Sequence, residues 1–207
     1  MNSIPAGWYP DGAEWETFWD GRGWTDRHRM RPPAVAPADD GRPDFRSARW
    51  GDSVDDVQED AALLHGDDRL MLYASTIDSR RVTIGYEYVE GLLVAGRYVV
   101  ADRYPSPQHY VDAFGSFTTL LSKDHGDPVV DRPVWEPAAR RVPRDQWGAA
   151  VRRGDLRLMA AWTSPRTEIV LLLEDVGHES RLGVVCSSRT HADWIEAVRR
   201  NQALALL

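Results

Sequence analysis

Cysteine, lysine and long apolar runs are almost missing from this 207-residue sequence. One cysteine, Cys186, excludes an intramolecular disulfide. Its setting in Leu182-Gly-Val-Val-Cys-Ser predicts a small buried hydrophobe, not a nucleophile. No apolar run approaches the roughly 20 residues that a membrane span needs. The opening Met1-Asn-Ser-Ile-Pro-Ala-Gly-Trp has neither a basic nor an apolar stretch, so no signal peptide is expected. These absences together predict a soluble, cytoplasmic protein. Lys123 is the only lysine, a bias we ascribe to coding composition.

An excess of positive charge is missing too. A net charge of −7 and a pI near 5.4 argue against broad binding to nucleic acid or anionic membranes, where a basic surface supplies most of the affinity. Metal-ligand spacing is absent: His28, His65, His109, His125, His178 and His191 are scattered singly, and Cys-x-x-Cys cannot occur. No phosphate-binding Gly-x-x-x-x-Gly-Lys loop and no Gly-x-Ser-x-Gly elbow is present. Ser53, Ser106 and Thr190 stand where helix caps are needed, which accounts for all three. No catalytic residue, metal or cofactor is therefore expected. The acidic residues Asp55, Asp56, Glu59, Asp60, Asp67 and Asp68 lack the calcium-loop pattern and are best explained as a solvated helix face.

Aromatic residues, by contrast, crowd the start. Residues 1–31 read as a separate tryptophan-rich mini-module, with Asp11-Gly12 and Asp20-Gly21 as tight-turn signals beside short aromatic stretches. A β-hairpin or three-stranded meander held by stacked rings is the expected form, because so short a piece cannot bury an aliphatic core. Residues 32–43 hold four prolines and read as a linker. Residues 44–207 then form one domain. A helix is expected over Val54–Leu63, opened by Ser53 with Asp56 as its capping partner. Strands follow at Leu70–Ile77, Arg81–Val89 and Leu92–Ala101, a helix opens at Ser106-Pro107, and a weaker one spans Pro143–Arg153. Further strands are expected at Leu156–Thr163, Glu168–Glu174 and Arg181–Ser188, with a C-terminal helix after Thr190. The short connections join antiparallel neighbours, so the fold class is α+β: meander strands in antiparallel sheet packed with helices.

Gly7-Trp8-Tyr9-Pro10-Asp11, then Phe18-Trp19-Asp20-Gly21, then Trp24-Thr25, resembles a short tryptophan-rich domain of unknown function found mostly at the N-termini of actinobacterial proteins. Gly12 stands where that family usually has proline, and Phe18 where it often has tyrosine. The resemblance implies an accessory module joined to varied partners, and it implies no reaction. Phe45-Arg46-Ser-Ala-Arg49-Trp50-Gly51-Asp-Ser53 is similar to the opening of a group of small uncharacterised bacterial domains, Phe-Arg-x-x-x-Trp-Gly-x-Ser. Tyr86-Glu-Tyr88 and Arg97-Tyr98 stand in its strands, and His125-Gly126-Asp127-Pro128 where a Tyr-Gly-x-Pro ending is common. The layout also resembles, at fold level alone, the small repeat of outer-membrane assembly lipoproteins and β-lactamase inhibitor proteins, which are binding folds.

Two groups are candidate partner-binding residues. Trp8, Tyr9, Trp15, Trp19 and Trp24 offer an aromatic surface of the kind that takes proline-rich or extended peptides. Arg140, Arg141 and Arg144, beside Trp147, form a basic patch that an acidic protein or a phosphate backbone would suit. The expected function is a non-catalytic interaction protein, adaptor or regulatory, whose partner is another protein. One alternative is an inhibitor or immunity protein, or one related to phage defence, that binds a partner enzyme. Another is an enzyme with a dispersed site, for which Asp102, His109 and Glu87 are candidates.

Overall fold

The computed structural model describes residues 5–33, 41–77 and 79–204. Most of the expected linker, residues 34–40, lies outside them. Two compact units divide the chain: Met1–Pro37 with Thr190–Leu207, and Ala38–Arg189. The C-terminal helix, which the sequence reading gave to the 44–207 domain, thus groups with the aromatic strands. The architecture is α+β, with all strand pairing antiparallel.

The first unit holds a meander of β1 (Gly7–Asp11), β2 (Trp15–Trp19) and β3 (Trp24–Met30), in that order across the sheet. Both Asp-Gly pairs make turns: Gly12 and Gly21 take φ of 82° and 93°, which a side chain resists. At the second turn the Asp20 carboxylate accepts the N–H groups of Arg22 and Gly23, each at 2.7 Å. Alternation puts Trp8 and Phe18 on one face and Tyr9, Trp15, Thr17 and Trp19 on the other. Helix α3 (Ala192–Leu204) belongs to the same unit. Trp194, 7% exposed, donates its indole N–H to the Met30 carbonyl at 3.2 Å.

The second unit is built on one eight-stranded sheet. Its strands are β4 (Ala62–Gly66), β5 (Leu70–Ile77), β6 (Arg80–Val89), β7 (Leu92–Val100), β8 (Val130–Trp135), β9 (Leu156–Thr163), β10 (Thr167–Val176) and β11 (Glu179–Ser188). The order β4-β5-β6-β7-β11-β10-β9-β8 is two four-stranded meanders joined where their last strands pair. The register aligns Leu158, Leu173 and Leu182 in one row and Ala160, Leu171, Val184, Tyr98 and Ile84 in the next, all on one face. That face carries the core. Helices α1 (Pro107–His125) and α2 (Trp147–Arg152) pack over the β9–β11 half.

The β6–β7 half is covered by an irregular segment. Phe45 lies on Gly96 of β7 and packs against Tyr86 and Tyr98, with ring centroids 5.3 and 5.0 Å away. Trp50 stacks on Phe45 and donates its indole N–H to Thr167 at 2.9 Å. Arg166 clamps the Asp44 carboxylate at 2.8 and 2.6 Å, and Asp44 also accepts the Trp50 N–H. The Phe-Arg-x-x-x-Trp spacing thus positions two rings and one anchor over the open half-sheet.

Three elements depart from the sequence reading. Residues 54–63 are not a helix: Val54–Asp56 makes one turn and Ala62 already begins edge strand β4. Ser53 and Asp56 do form the capping contacts, at 2.6 and 3.1 Å, but tertiary bonds pull the next residues out of helical register. Glu59 turns inward to the Tyr86 hydroxyl at 2.7 Å and to Arg46, and the Gln58 carbonyl accepts from Ser47. Edge strands β4 and β8 were both unforeseen. Pro133 inside β8 suits an edge, where a missing N–H costs no ladder bond. The weak helix at 143–153 resolves into a 3₁₀ turn over Arg144–Gln146 followed by α2.

Candidate functional site

The aromatic sheet of the first unit separates the five sequence-nominated rings into two settings. Trp8 is covered: Phe18 meets it edge-on at 5.2 Å, and the Arg27 and Arg29 guanidiniums stand 5.4 and 4.6 Å from its centroid. Such contacts hold a module too small for an aliphatic core. On the other face Tyr9 and Trp19 meet Trp24 edge-on, at 5.8 and 5.2 Å, and Tyr9 donates its hydroxyl to the Pro5 carbonyl. Trp24 nevertheless remains 59% exposed and Trp15 43%. Beneath them Thr17, buried, bonds Asp11 and His28 at 2.9 Å each, which fixes the register of the three strands. Four rings therefore share a face, and two of them, Trp15 and Trp24, present a large part of their surface to solvent.

The basic patch is less coherent. Arg144 lies over the ring of Trp147 at 5.6 Å, and Trp147 turns its indole N–H to the Val142 carbonyl and its edge to Trp135. Arg153 and Arg157 are spent on Asp155 and Glu136. Arg140 and Arg141 are exposed. Trp147 is thus a packing residue with an arginine on top.

The second unit contains a concavity that sequence reading missed. A cavity of about 360 Å³ opens between the Phe45 segment and the C-terminal half of α1, over the covered face of the sheet. Val82, Leu171 and Val184 line it from β6, β10 and β11, and Phe117 and Leu121 from α1. Its lining comes from segments more than a hundred residues apart, so no local pattern announces it; the only trace is the apolar-then-charged Phe45-Arg46 pair. Asp44, Arg46 and His125 stand among the lining residues. Cys186 also lines it, buried, and burial pushes its thiol up to about 12, so the thiolate is absent at neutral pH. Burial likewise raises Tyr98, and burial followed by the Glu59 carboxylate raises Tyr86.

The residues considered for a dispersed active site are each held by a separate neighbour. Asp102 accepts the Arg81 guanidinium and backbone N–H, both at 2.8 Å, which lowers its pKa. Glu87 pairs with Arg97, and His109 bonds Ser106 at 2.9 Å. Among the described residues, no group of three His, Cys, Asp or Glu side chains is placed to hold a metal ion. No described helix is long and apolar enough to cross a membrane. Compared with known proteins, the chain matches no family model, no curated protein and no solved structure.

Proposed function

We propose that the protein is a non-catalytic interaction protein, in which the Tyr9–Trp15–Trp19–Trp24 face docks an extended, proline-containing segment of another protein. The observation that carries this reading is Trp24. Two edge-on aromatic neighbours hold its ring, yet 59% of it faces solvent. An indole fixed at low entropic cost, apolar on its faces and with a donor at its edge, suits proline rings and backbone carbonyls. The resemblance of this segment to an accessory module agrees with a docking role, and so does the engagement of Asp102, Glu87 and His109 in separate contacts.

The test uses the full-length chain and a fluorescein-labelled proline-rich peptide, read by polarisation. Saturable binding is expected, with Trp24→Ala weakening it at least about tenfold, the size of an exposed aromatic hot spot. Trp147→Phe, on the other unit, is expected to leave it unchanged. Equal binding by the wild type and Trp24→Ala, both with native melting curves, would sink the aromatic-face reading.

A further inference from the structure

The cavity of the second unit is independent of the aromatic face, and its walls decide what it can hold. We infer that it is a binding site for an uncharged, linear apolar molecule of about ten carbons.

Neither wall is free to move in and close the space. On one side Phe45 rests directly on Gly96, with Trp50 stacked on it and bonded to Thr167. Arg166 holds the adjoining Asp44 through two bonds, at 2.8 and 2.6 Å. On the other side α1 is tied at both ends. Near its start the Gln108 side chain accepts the Gly148 N–H at 3.0 Å, and at its end the Gly126 carbonyl accepts the Trp162 indole N–H at 2.9 Å. Phe117 and Leu121 lie between those ties, so the helical wall is held off the floor of Val82, Leu171 and Val184. An apolar cavity whose walls do not collapse forfeits dispersion contacts along its lining, and a ligand restores them. Water is a poor substitute, because aliphatic walls offer it few hydrogen-bond partners.

The polar lining disfavours a charged ligand of either sign. Asp44 is neutralised by Arg166. Arg46 is taken up by Glu59, through Nε at 2.7 Å and Nη2 at 3.1 Å, and Glu59 also accepts the Tyr86 hydroxyl. The Cys186 thiol keeps its proton at neutral pH, and His125 is exposed on the last turn of α1. An ion drawn inside would lose its hydration and meet no free counter-charge there. The dimensions specify a chain. The lining follows β11 from Leu182 to Cys186, about 13 Å at the strand rise of roughly 3.3 Å per residue. A volume of about 360 Å³ spread over that length is roughly 5 Å on a side, close to the spacing of neighbouring strands and so one chain wide. At about 30 Å³ of liquid volume per water-sized atom, it holds on the order of a dozen heavy atoms. An unbranched chain of ten carbons with a terminal hydroxyl fills it.

The experiment titrates the full-length protein with straight-chain primary alcohols from butanol to dodecanol, each below its solubility limit, followed by methyl NMR. One saturable site is expected, with shifts centred on Val82, Leu171 and Val184. Affinity should rise about fourfold per added carbon, as one buried methylene gives, and level off near decanol when the chamber is full. Octanoate and octylammonium should each bind at least about tenfold more weakly than octanol, and within about threefold of each other. Val184→Phe, which fills the chamber, should abolish binding; if it fails to fold, the wild-type chain-length series decides. Any of five results would overturn the inference: no saturable site, affinity that stays flat from butanol or keeps rising past decanol, either ion binding as well as octanol, shifts centred outside the cavity, or undiminished binding by a folded Val184→Phe. The proline-rich peptide is expected to leave the cavity methyls unshifted, so this site and the aromatic face stand or fall separately.

Discussion

At Gly96 there is no room for a carbon atom. A Cβ there would sit 2.2–2.4 Å from three atoms of the Phe45 ring, and that ring is itself wedged by Trp50, Tyr86 and Tyr98. Gly96→Ala must either lift Phe45 off the sheet or bend β7. Loss of roughly 3 kcal/mol is expected, the upper end for overpacking a fixed neighbour, and urea unfolding measures it. The Asp20 carboxylate poses a different question, because its contribution depends on pH. The Gly23 N–H, then the Arg22 N–H, hold its pKa below the ordinary aspartate value. A depressed carboxylate stabilises the fold above its unfolded pKa of about 3.9, and the benefit is lost as pH falls through the lower folded value. Asp20→Asn is therefore expected to melt below the wild type at pH 6. The gap between the two melting curves should narrow below about pH 4 and vanish in stronger acid. A gap of constant width would show that the side-chain charge plays no part in the turn.

At the scale of elements, the α1–α2 crossing is fixed by one residue. A Cβ on Gly148 would stand 2.4 Å from the Gln108 nitrogen and the Pro107 carbonyl carbon. The obstruction is backbone, which cannot rotate away, and the Gly148 N–H also donates to the Gln108 side chain at 3.0 Å. Gly148→Ala should separate the two helices and cost at least about 3 kcal/mol, with amide exchange in α2 rising first. Nothing in the sequence distinguishes this glycine from Gly115, which has open space around it. The same division runs through the rest of the unit. Strands β5 and β9 and helix α1 are legible because alternation or a Ser-Pro start is a local signal: the expected Leu70–Ile77 and Leu156–Thr163 match the observed strands to the residue. The 54–63 segment was misread because its local signal is real but loses to Glu59, whose partners Arg46 and Tyr86 lie 13 and 27 residues away. Strand β8 was hidden by Pro133, which only an edge position tolerates. The five aromatic candidates were legible as a group, yet which rings are covered depends on Arg27 and Arg29, across the sheet. The cavity was illegible because its walls meet only in the fold.

At the scale of the whole chain, the sequence order and the spatial grouping part company at residue 190. Composition places a boundary near the proline-rich stretch, and nothing in Thr190–Leu207 marks it as a companion of residues 5–33. The bond that expresses this grouping is from the Trp194 indole to the Met30 carbonyl, supported by the His191 ring edge-on to Trp194 at 5.8 Å. A three-stranded aromatic sheet is marginal alone, because so small a piece buries too little apolar surface to offset its ordering entropy. Helix α3 meets the end of β3 at Met30, through Trp194 and Asn201, and Trp194 is its largest buried side chain. Truncating a buried tryptophan to alanine costs about 3–5 kcal/mol where the site cannot collapse. Trp194→Ala is accordingly expected to speed amide exchange along the β2–β3 ladder by at least about a hundredfold, equivalent to near 3 kcal/mol of opening free energy. Trp194→Phe separates the two parts of that effect: the ring volume largely remains while the indole donor is lost, so a drop nearer 1 kcal/mol is expected. Unchanged exchange at Thr17 and His28 in Trp194→Ala would mean that the aromatic sheet stands without its C-terminal helix, and that residues 1–31 fold on their own.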